Sequence, residues 1–411
     1  MLEVGQVTIR SPEDGELKAF LETTETAFGE ALHEGDVERW TPLLRLERQL
    51  WAWDGDVAVA TAGTYEFRLQ IPGGDLPTAG VTMVGVHPSH RRRGILTEMM
   101  RRQLDDAYER GEPLAALWAS EAPIYGRFGY GVATAAARIE ADRDRIAFRA
   151  PDEPTGRTRL VSLDDARSIV PAVYERVRRA TPGMIDRSED WWRSLRLVDP
   201  EHWRNGGGPL FCVVLELDGE PEGYAMYRLR GSWEDGVPGA KLDVREALGA
   251  SPAATREIWR FLFGVDLTRQ VRAWLLPPDH PLFLSVTEPR RLQMRVGDGL
   301  WLRLLDVHAA LAGRSYGCDG RVVVEVGDRF CTWNDGVWRL EVEGSEPAVE
   351  RGGGQAELRL DIGDLASAYL GGFSFAALQR AGRVEELADG AVERADALFR
   401  TTVTPWCAEI F

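Results

Sequence analysis

The chain runs twice through the same succession of elements, and this repetition limits the folds open to it more than any other feature. In the first pass, Val7-Thr8-Ile9 reads as a short strand and Ser11-Pro12-Glu13-Asp14 as a helix start, with a capping serine before proline and acidic residues. Leu17 to Phe28 is apolar at helical spacing. Trp51-Ala52-Trp53, Asp54-Gly55 and Val57-Ala58-Val59-Ala60 form a β-hairpin with an Asp-Gly turn, its second strand continuing through Tyr65 and Phe67. Val81 to Val86 is a further strand, followed by a basic, glycine-containing turn. A helix then runs from Ile95 to Tyr108 with Leu96, Met99, Met100, Leu104 and Ala107 on one face. Pro113 breaks it before the buried strand Leu114 to Trp118.

The second pass repeats this order. Leu160-Val161 matches the opening strand and Ser162 to Tyr174 the opening helix. Val213 to Leu217 and Gly223 to Tyr227 flank a second Asp-Gly turn, Asp218-Gly219. Leu242-Asp243-Val244, a helix over Pro252 to Gly264 and the strand Val271 to Leu276 complete the copy. This is duplication of a whole domain rather than a short solenoid repeat, and its alternating strands and helices are of the α/β type.

Pro151 to Gly156 reads as a linker between the copies, and a third segment opens near Leu300. Trp301 to Leu305 is a strand there that the second domain can claim. Val307 to Ala312 is helical, Arg321 to Val326 alternates and should pair with Gly336 to Leu340, and Arg351 to Gly354 is a turn. A strand over Glu357 to Asp361 is followed by helices at Ile362–Tyr369, Phe373–Ala381 and Gly390–Phe399, an α+β order. The expected domains are residues 1–150, 151–300 and 301–411.

Composition excludes several functions. With 44% hydrophobic and 28% charged residues, the 411-residue chain is a folded protein rather than a disordered one. A net charge of −16 makes it a poor nucleic-acid binder and suits a cationic small substrate. No run is long enough to span a membrane and the N-terminus lacks a signal pattern, so a cytoplasmic location is expected. Cys212, Cys318, Cys331 and Cys407 are scattered and read as buried apolar residues; His87 and His90 lack a third ligand, so no metal is expected. The Trp191-Trp192 pair, Trp203 and Phe283 read as core.

The stretch Val84-Gly85-Val86-His87-Pro88-Ser89-His90-Arg91-Arg92-Arg93-Gly94-Ile95-Leu96-Thr97 carries the chemistry. It is a strand, a short basic turn and a helix N-terminus. Such a turn aims several backbone N–H groups and the positive end of the helix dipole at one spot, which suits a pyrophosphate. Gly94 lets the backbone approach without a Cβ in the way. The second copy has Val244 to Ser251 at this place, with Glu246 where a basic residue would be needed, and is expected not to hold such a group.

These residues resemble the acetyl-CoA loop of the GNAT N-acetyltransferases, Gln/Arg-x-x-Gly-x-Gly/Ala, through Arg91, Gly94 and Leu96, the last departing from the small third residue. Pro88-x-His90-Arg91-Arg92-Arg93-Gly94-x-Leu96, Ala119-Ser120-Glu121 and Ile124-Tyr125-Gly126-Arg127-Phe128-Gly129-Tyr130-Gly131 are together similar to the Eis (enhanced intracellular survival) family of aminoglycoside acetyltransferases. The resemblance covers the whole chain. It implies two tandem GNAT-type domains, the second degenerate, followed by a domain like the sterol carrier proteins, and a homohexamer. It implies that Val84, Gly85 and Val86 meet the pantetheine arm and thioester, that Arg92, Arg93, Gly94, Ile95, Leu96 and Thr97 wrap the pyrophosphate, and that Ser120 and Glu121 flank acetyl-CoA. It also implies Tyr125 as general acid and the terminal carboxylate of Phe411 as general base.

The chemistry suits those roles. An attacking amine must be neutral, so a proton acceptor must lie within reach; the oxyanion needs a backbone N–H and the departing thiolate a donor. The expected function is acetyl transfer from acetyl-CoA to amines of cationic small molecules, aminoglycosides first. Acetylation of protein or peptide amines, and lipid binding by the third domain, are the alternatives.

Overall fold

The computed structural model describes residues 2–4, 7–149 and 155–411. Pro151 to Pro154, most of the expected linker, lie outside the described residues. The chain forms two compact units. One comprises Met1–Thr134, Leu300–Thr402 and Ile410–Phe411; the other comprises Ala135–Gly299 with Val403–Glu409.

The first unit holds an eight-stranded and a five-stranded sheet. In the larger, Val7–Arg10, Leu50–Asp54, Val57–Ile71 and Gly74–Val86 run antiparallel in sequence order. Gly74–Val86 then pairs in parallel with Leu114–Leu117, the helix Ile95–Glu109 forming the crossover. Of the stripe read from the sequence that helix buries Met99, Met100, Leu104 and Ala107, while Ile95 takes the buried place expected for Leu96, which packs at the margin. The first hairpin turns on Gly55-Asp56, not Asp54-Gly55, because Asp54 pairs with Val57; the second turns on Asp218-Gly219 as expected, both at positive φ. The helix expected to start at Ser11 begins at Leu17; Glu16 is instead drawn to Arg10, 2.6 Å away.

Trp301–Leu304 completes the larger sheet, lying between Leu114–Leu117 and Gly131–Val132. The second sheet has seven strands, in the order Arg295–Asp298, Ala135–Asp142, Thr268–Leu276, Ala240–Gly249, Glu220–Arg230, Phe211–Leu217 and Arg157–Val161. The first copy thus gives its last long strand to the second sheet and receives Trp301–Leu304. The helix expected over Ser162 to Tyr174 is two helices, Leu163–Ala166 capped by Ser162 and Val170–Ala180, with Pro171 in the first turn of the second. Pro252–Gly264 packs Ala254, Ile258, Trp259 and Leu262 on one face of the second sheet.

In the five-stranded sheet, Gly320–Gly327 pairs antiparallel with Gly336–Glu343 and parallel with Leu358–Asp361. The helix Ile362–Tyr369 is buried at all eight positions. Three cysteines are buried, but Cys318 is exposed; Trp191 and Trp192 are core, whereas Phe283 is 42% exposed and Trp203 half-buried. Cys318 lies in a connecting segment, and Phe283 points away from the core that its neighbour Leu282 enters. Among the described residues, no helix is long and apolar enough to cross a membrane.

Candidate active site

The site grows from a parting of strands. Gly74–Val86 and Leu114–Leu117 pair only from Thr78↔Leu114 to Gly80↔Ala116. Beyond Gly80 the strands separate, so Val81 to Val86 present backbone groups along an open edge. A bulge assists: the register against the neighbouring strand shifts between Thr61 and Gly63, and Met83 takes φ +51°. Thr61 Oγ1 donates to the Met83 carbonyl at 2.9 Å and fixes the distortion. Gly85 is needed for close approach, since a Cβ there would lie 2.7 Å from Ala27 Cβ.

The basic turn follows. Arg91 Nε donates to the Val86 carbonyl at 3.2 Å. Arg92 and Gly94 both have left-handed backbone, at φ +65° and +86°. Gly94 is the N-cap of Ile95–Glu109 and no side chain caps that end, so the N–H groups of Ile95, Leu96 and Thr97 keep their donors free, and the helix dipole adds positive potential there.

A cavity of about 780 Å³ lies over these groups. Val84, Gly85, Val86, Arg92, Gly94, Ile95, Leu96, Thr97, Ser120, Glu121 and Tyr125 all line it. Arg93 does not: its guanidinium turns to Asp54 of the first hairpin at 3.1 Å, where His90 Nε2 also lies 3.1 Å away. The sequence gives no hint of that pairing, which joins residues 39 apart. Ala27, Phe28 and Arg127 line the cavity and were not expected there. Phe28 ends the first helix 51% exposed, and an apolar residue at a helix end is the only sequence signal for it.

Tyr125 ends the four-residue helix Ala122–Tyr125 and is 5% exposed. Burial raises its pKa above the usual tyrosine value; a hydrogen bond with Ser120 opposes this and the nearby Glu121 charge adds to it. The hydroxyl therefore holds its proton at neutral pH, as a donor must. Tyr130 packs edge-on at 6.1 Å and is fully buried.

Phe411 is half-buried and does not line the cavity. Its ring meets Phe67, with centroids 4.9 Å apart, and stands over Gly80, where an added Cβ would lie 3.4 Å from Phe411 Cε2. Gly80 is the last residue of the parallel pairing, so the chain's final ring marks the apex of the parting.

The second sheet repeats the parting without the turn. Ala240–Gly249 and Thr268–Leu276 pair up to Val244↔Ala273 and then separate. This opening holds a smaller cavity of about 250 Å³, lined in part by Val403, Thr404, Trp406 and Ala408. Glu246 there is a structural anion. It meets Arg187 at 2.6 Å and Arg196 at 2.9 Å, and accepts a hydrogen bond from the Tyr224 hydroxyl. Glu409 meets the same two arginines at 2.6 and 3.2 Å. Burial pushes the Glu246 carboxyl up, but the two guanidinium groups outweigh it and hold the pKa at about 2. Among the described residues, no group of three or more His, Cys, Asp or Glu is placed to hold a metal ion.

A mixed sheet whose parallel pair parts beside an uncapped helix N-terminus defines an acyltransferase of the GNAT class. Residues 8–133 and 183–304 each match the acetyltransferase (GNAT) domain family, and 307–408 match the sterol carrier protein domain. An uncharacterized N-acetyltransferase of Streptomyces avermitilis is 43% identical over 92% of this chain and 93% of its own. N-acetyltransferase Eis of Mycobacterium tuberculosis is 32% identical over 97% of this chain and 98% of its own. The crystal structure of Eis1 from Mycobacterium abscessus, 33% identical, superposes with a TM-score of 0.85 over 98% of this chain and 100% of that one. The chain belongs to the Eis family of N-acetyltransferases: two GNAT domains followed by a sterol-carrier-like domain.

Proposed function

We propose that this N-acetyltransferase takes its acetyl group from acetyl-CoA and gives it to amines of a cationic small molecule, with aminoglycosides the leading class. The observation that carries the reading is the single 780 Å³ cavity on which the open strand edge, the uncapped helix start and Tyr125 converge. Its left-handed Arg92 and Gly94 and free N–H groups fit a pyrophosphate, and its strand edge at Val84–Val86 fits the amide-bearing pantetheine arm. The net charge of −16 favours a cationic acceptor, as do the exposed Glu30, Glu34 and Glu38 just after Phe28.

In this reading the neutral amine attacks the thioester carbonyl, and a backbone N–H of the open strand steadies the oxyanion. Tyr125 gives its proton to the departing thiolate. The carboxylate at Phe411 takes the proton from the amine. Arg93 helps indirectly, holding the turn through Asp54. Catalysis belongs to the first domain; the degenerate second domain and the third serve as scaffold, and the enzyme works in the cytoplasm as a homo-oligomer, a hexamer by family likeness. Mass spectrometry after incubation with acetyl-CoA and an aminoglycoside panel tests this: products heavier by one or more acetyl groups are expected, and an unmodified panel refutes the substrate class. Calorimetry should find one CoA per chain and much weaker binding in Gly94→Glu; unchanged affinity would remove the turn from the site.

A further inference from the structure

The second sheet has two faces of opposite character. One is apolar and carries Ala137, Ile139, Leu242, Val244, Val271 and Ala273 under the helix Pro252–Gly264. The alternate residues of the same strands point the other way, and there the sequence places arginine on strand after strand: Arg138, Arg228, Arg230, Arg245, Arg272 and, on the edge strand, Arg295. They line a cavity of about 580 Å³ with two carboxylates, Glu140 and Asp243. In a chain of net charge −16 this is a reversal of local sign.

The register divides the arginines into two rows. In the first, Arg228 faces Asp243, Asp243 faces Arg272 and Arg272 faces Glu140, so cation and anion alternate across four strands. Asp243 meets Arg230 and Arg272 at 2.5 Å each. Nothing in this row requires a ligand.

The second row lacks that balance. Arg245 is the extra residue of a bulge, between Val244 and Glu246. Arg138 and Arg295 are direct cross-strand partners, a pairing of like charges that ordinarily destabilises a sheet. None of the three has a carboxylate at ion-pair distance among the described residues. Arg245 is half-buried and donates to the Leu195 carbonyl at 2.6 Å. Burial, joined by the nearby Arg196 and Arg228 charges, lowers its pKa to about 9, against the opposing pull of the Glu409 and Glu246 carboxylates beyond ion-pair distance. Trp274, 55% exposed, sits in the irregular stretch of its strand between Ala273 and Leu276, and Trp203 lies under the Arg245 guanidinium at 5.9 Å. Three cations without an ion-pair partner, lining a cavity of ligand size with two indoles, form a surface for a flat anion.

We propose that this face of the second GNAT domain binds an organic anion in which an aromatic ring carries a phosphate or carboxylate, the anionic head meeting Arg138, Arg245 and Arg295 and the ring lying on Trp274. This site is separate from the cavity at Gly94. Calorimetric titration of the full-length protein with phenyl phosphate tests it, inorganic phosphate being the probe for the head alone. Binding is expected to weaken about tenfold or more in Arg138→Glu and in Arg245→Gln, since each loses a charge-assisted contact, and to persist in Gly94→Glu. Arg138 is exposed and has no ion-pair partner to lose among the described residues, so its variant should melt with the wild type. Phenyl phosphate should bind more tightly than inorganic phosphate; equal affinities would overturn the role of the ring. Absence of binding at about 1 mM, or binding lost in Gly94→Glu and kept in Arg138→Glu, would overturn the site.

Discussion

Replacing Glu246 by glutamine removes one negative charge and almost no volume, so the consequence is electrostatic. The carboxylate is 3% exposed and holds two guanidinium groups, Arg187 with no exposure and Arg196 with 10%. Arg245 lies close by, with no carboxylate at ion-pair distance among the described residues but within reach of the Glu246 and Glu409 charges. With Glu246 neutral, Glu409 alone would face this cluster. Removing one partner of a buried pair costs about 3–5 kcal/mol, because the other charge stays buried and unbalanced. The depressed pKa of the same ion pairs is of similar size: from about 4.5 to about 2, at about 1.4 kcal/mol per unit, is about 3 kcal/mol. For a unit of this size each kcal/mol moves the melting temperature by about 2–4 °C, so Glu246→Gln should melt about 10 °C lower at pH 7. Because the folded pKa lies below the unfolded one, this stability is fully present above about pH 4.5 and is lost as pH falls towards 2; the gap between wild type and variant should therefore narrow below pH 4.5. Scanning calorimetry across pH reads both. A fall of less than about 2 °C at pH 7 would show that the cluster is solvated or that the arginines find other partners, and the reasoning would fail.

Tyr125→Phe keeps the ring and removes the proton donor, so kcat should fall by about 10²–10⁴ with CoA affinity retained; kcat within twofold of wild type would make Tyr125 a packing residue. One residue added after Phe411 displaces the carboxylate by about 3.5 Å, beyond hydrogen-bond reach, and should remove most activity while leaving the melting temperature unchanged; a fully active extended protein would exclude the terminal carboxylate as base. His280, 5% exposed with its Nε2 3.1 Å from the Trp259 indole N–H, has its pKa lowered to about 4 by burial. Its neutral form therefore stabilises the fold fully above about pH 6.5, and about 3 kcal/mol is lost as pH falls from there to 4; chemical denaturation should show that slope shrinking in His280→Leu. Gly131→Ala would place a Cβ 1.8 Å from the Gly363 carbonyl of a buried helix, and should cost about 3 kcal/mol or fail to fold; wild-type stability would refute the packing.

Local signals in the sequence lead to correct local structure. Pro252–Gly264 and Ile362–Tyr369 have the bounds that capping residues and periodicity indicate, because Ser251 and Asp361 accept from first-turn N–H groups and the apolar spacing is helical. The strand, basic turn and helix around Gly94 are equally legible, since their conformation is fixed within a dozen residues. What escaped reading depends on distant partners. The strand at Trp301, which the second domain could claim, joins the first sheet, and Ala135–Asp142 joins the second; a strand's side chains state which face is buried, not which sheet receives it. Arg93 sits in a basic triplet and only the fold brings Asp54 to it. Gly129 and Gly131 belong to the stretch that resembles the Eis family; a Cβ at either would strike Arg303 or Gly363, and Gly129 also takes φ +82°, so packing and backbone conformation account for both.

The exchange of strands also sets an order of events during synthesis. Leu114–Leu117 has Trp301–Leu304 as its antiparallel neighbour, about 190 residues downstream. Until that segment leaves the ribosome, the first sheet has a bare apolar edge, Leu114-Ala115-Ala116-Leu117, with every side chain buried in the finished protein. The intervening chain must emerge before the edge can close. The nascent protein therefore exposes a sticky strand for the time needed to translate its second domain, and that edge is where a chaperone would bind or where chains would misassociate. Neither GNAT copy can be excised and expressed alone without leaving its partner a strand short.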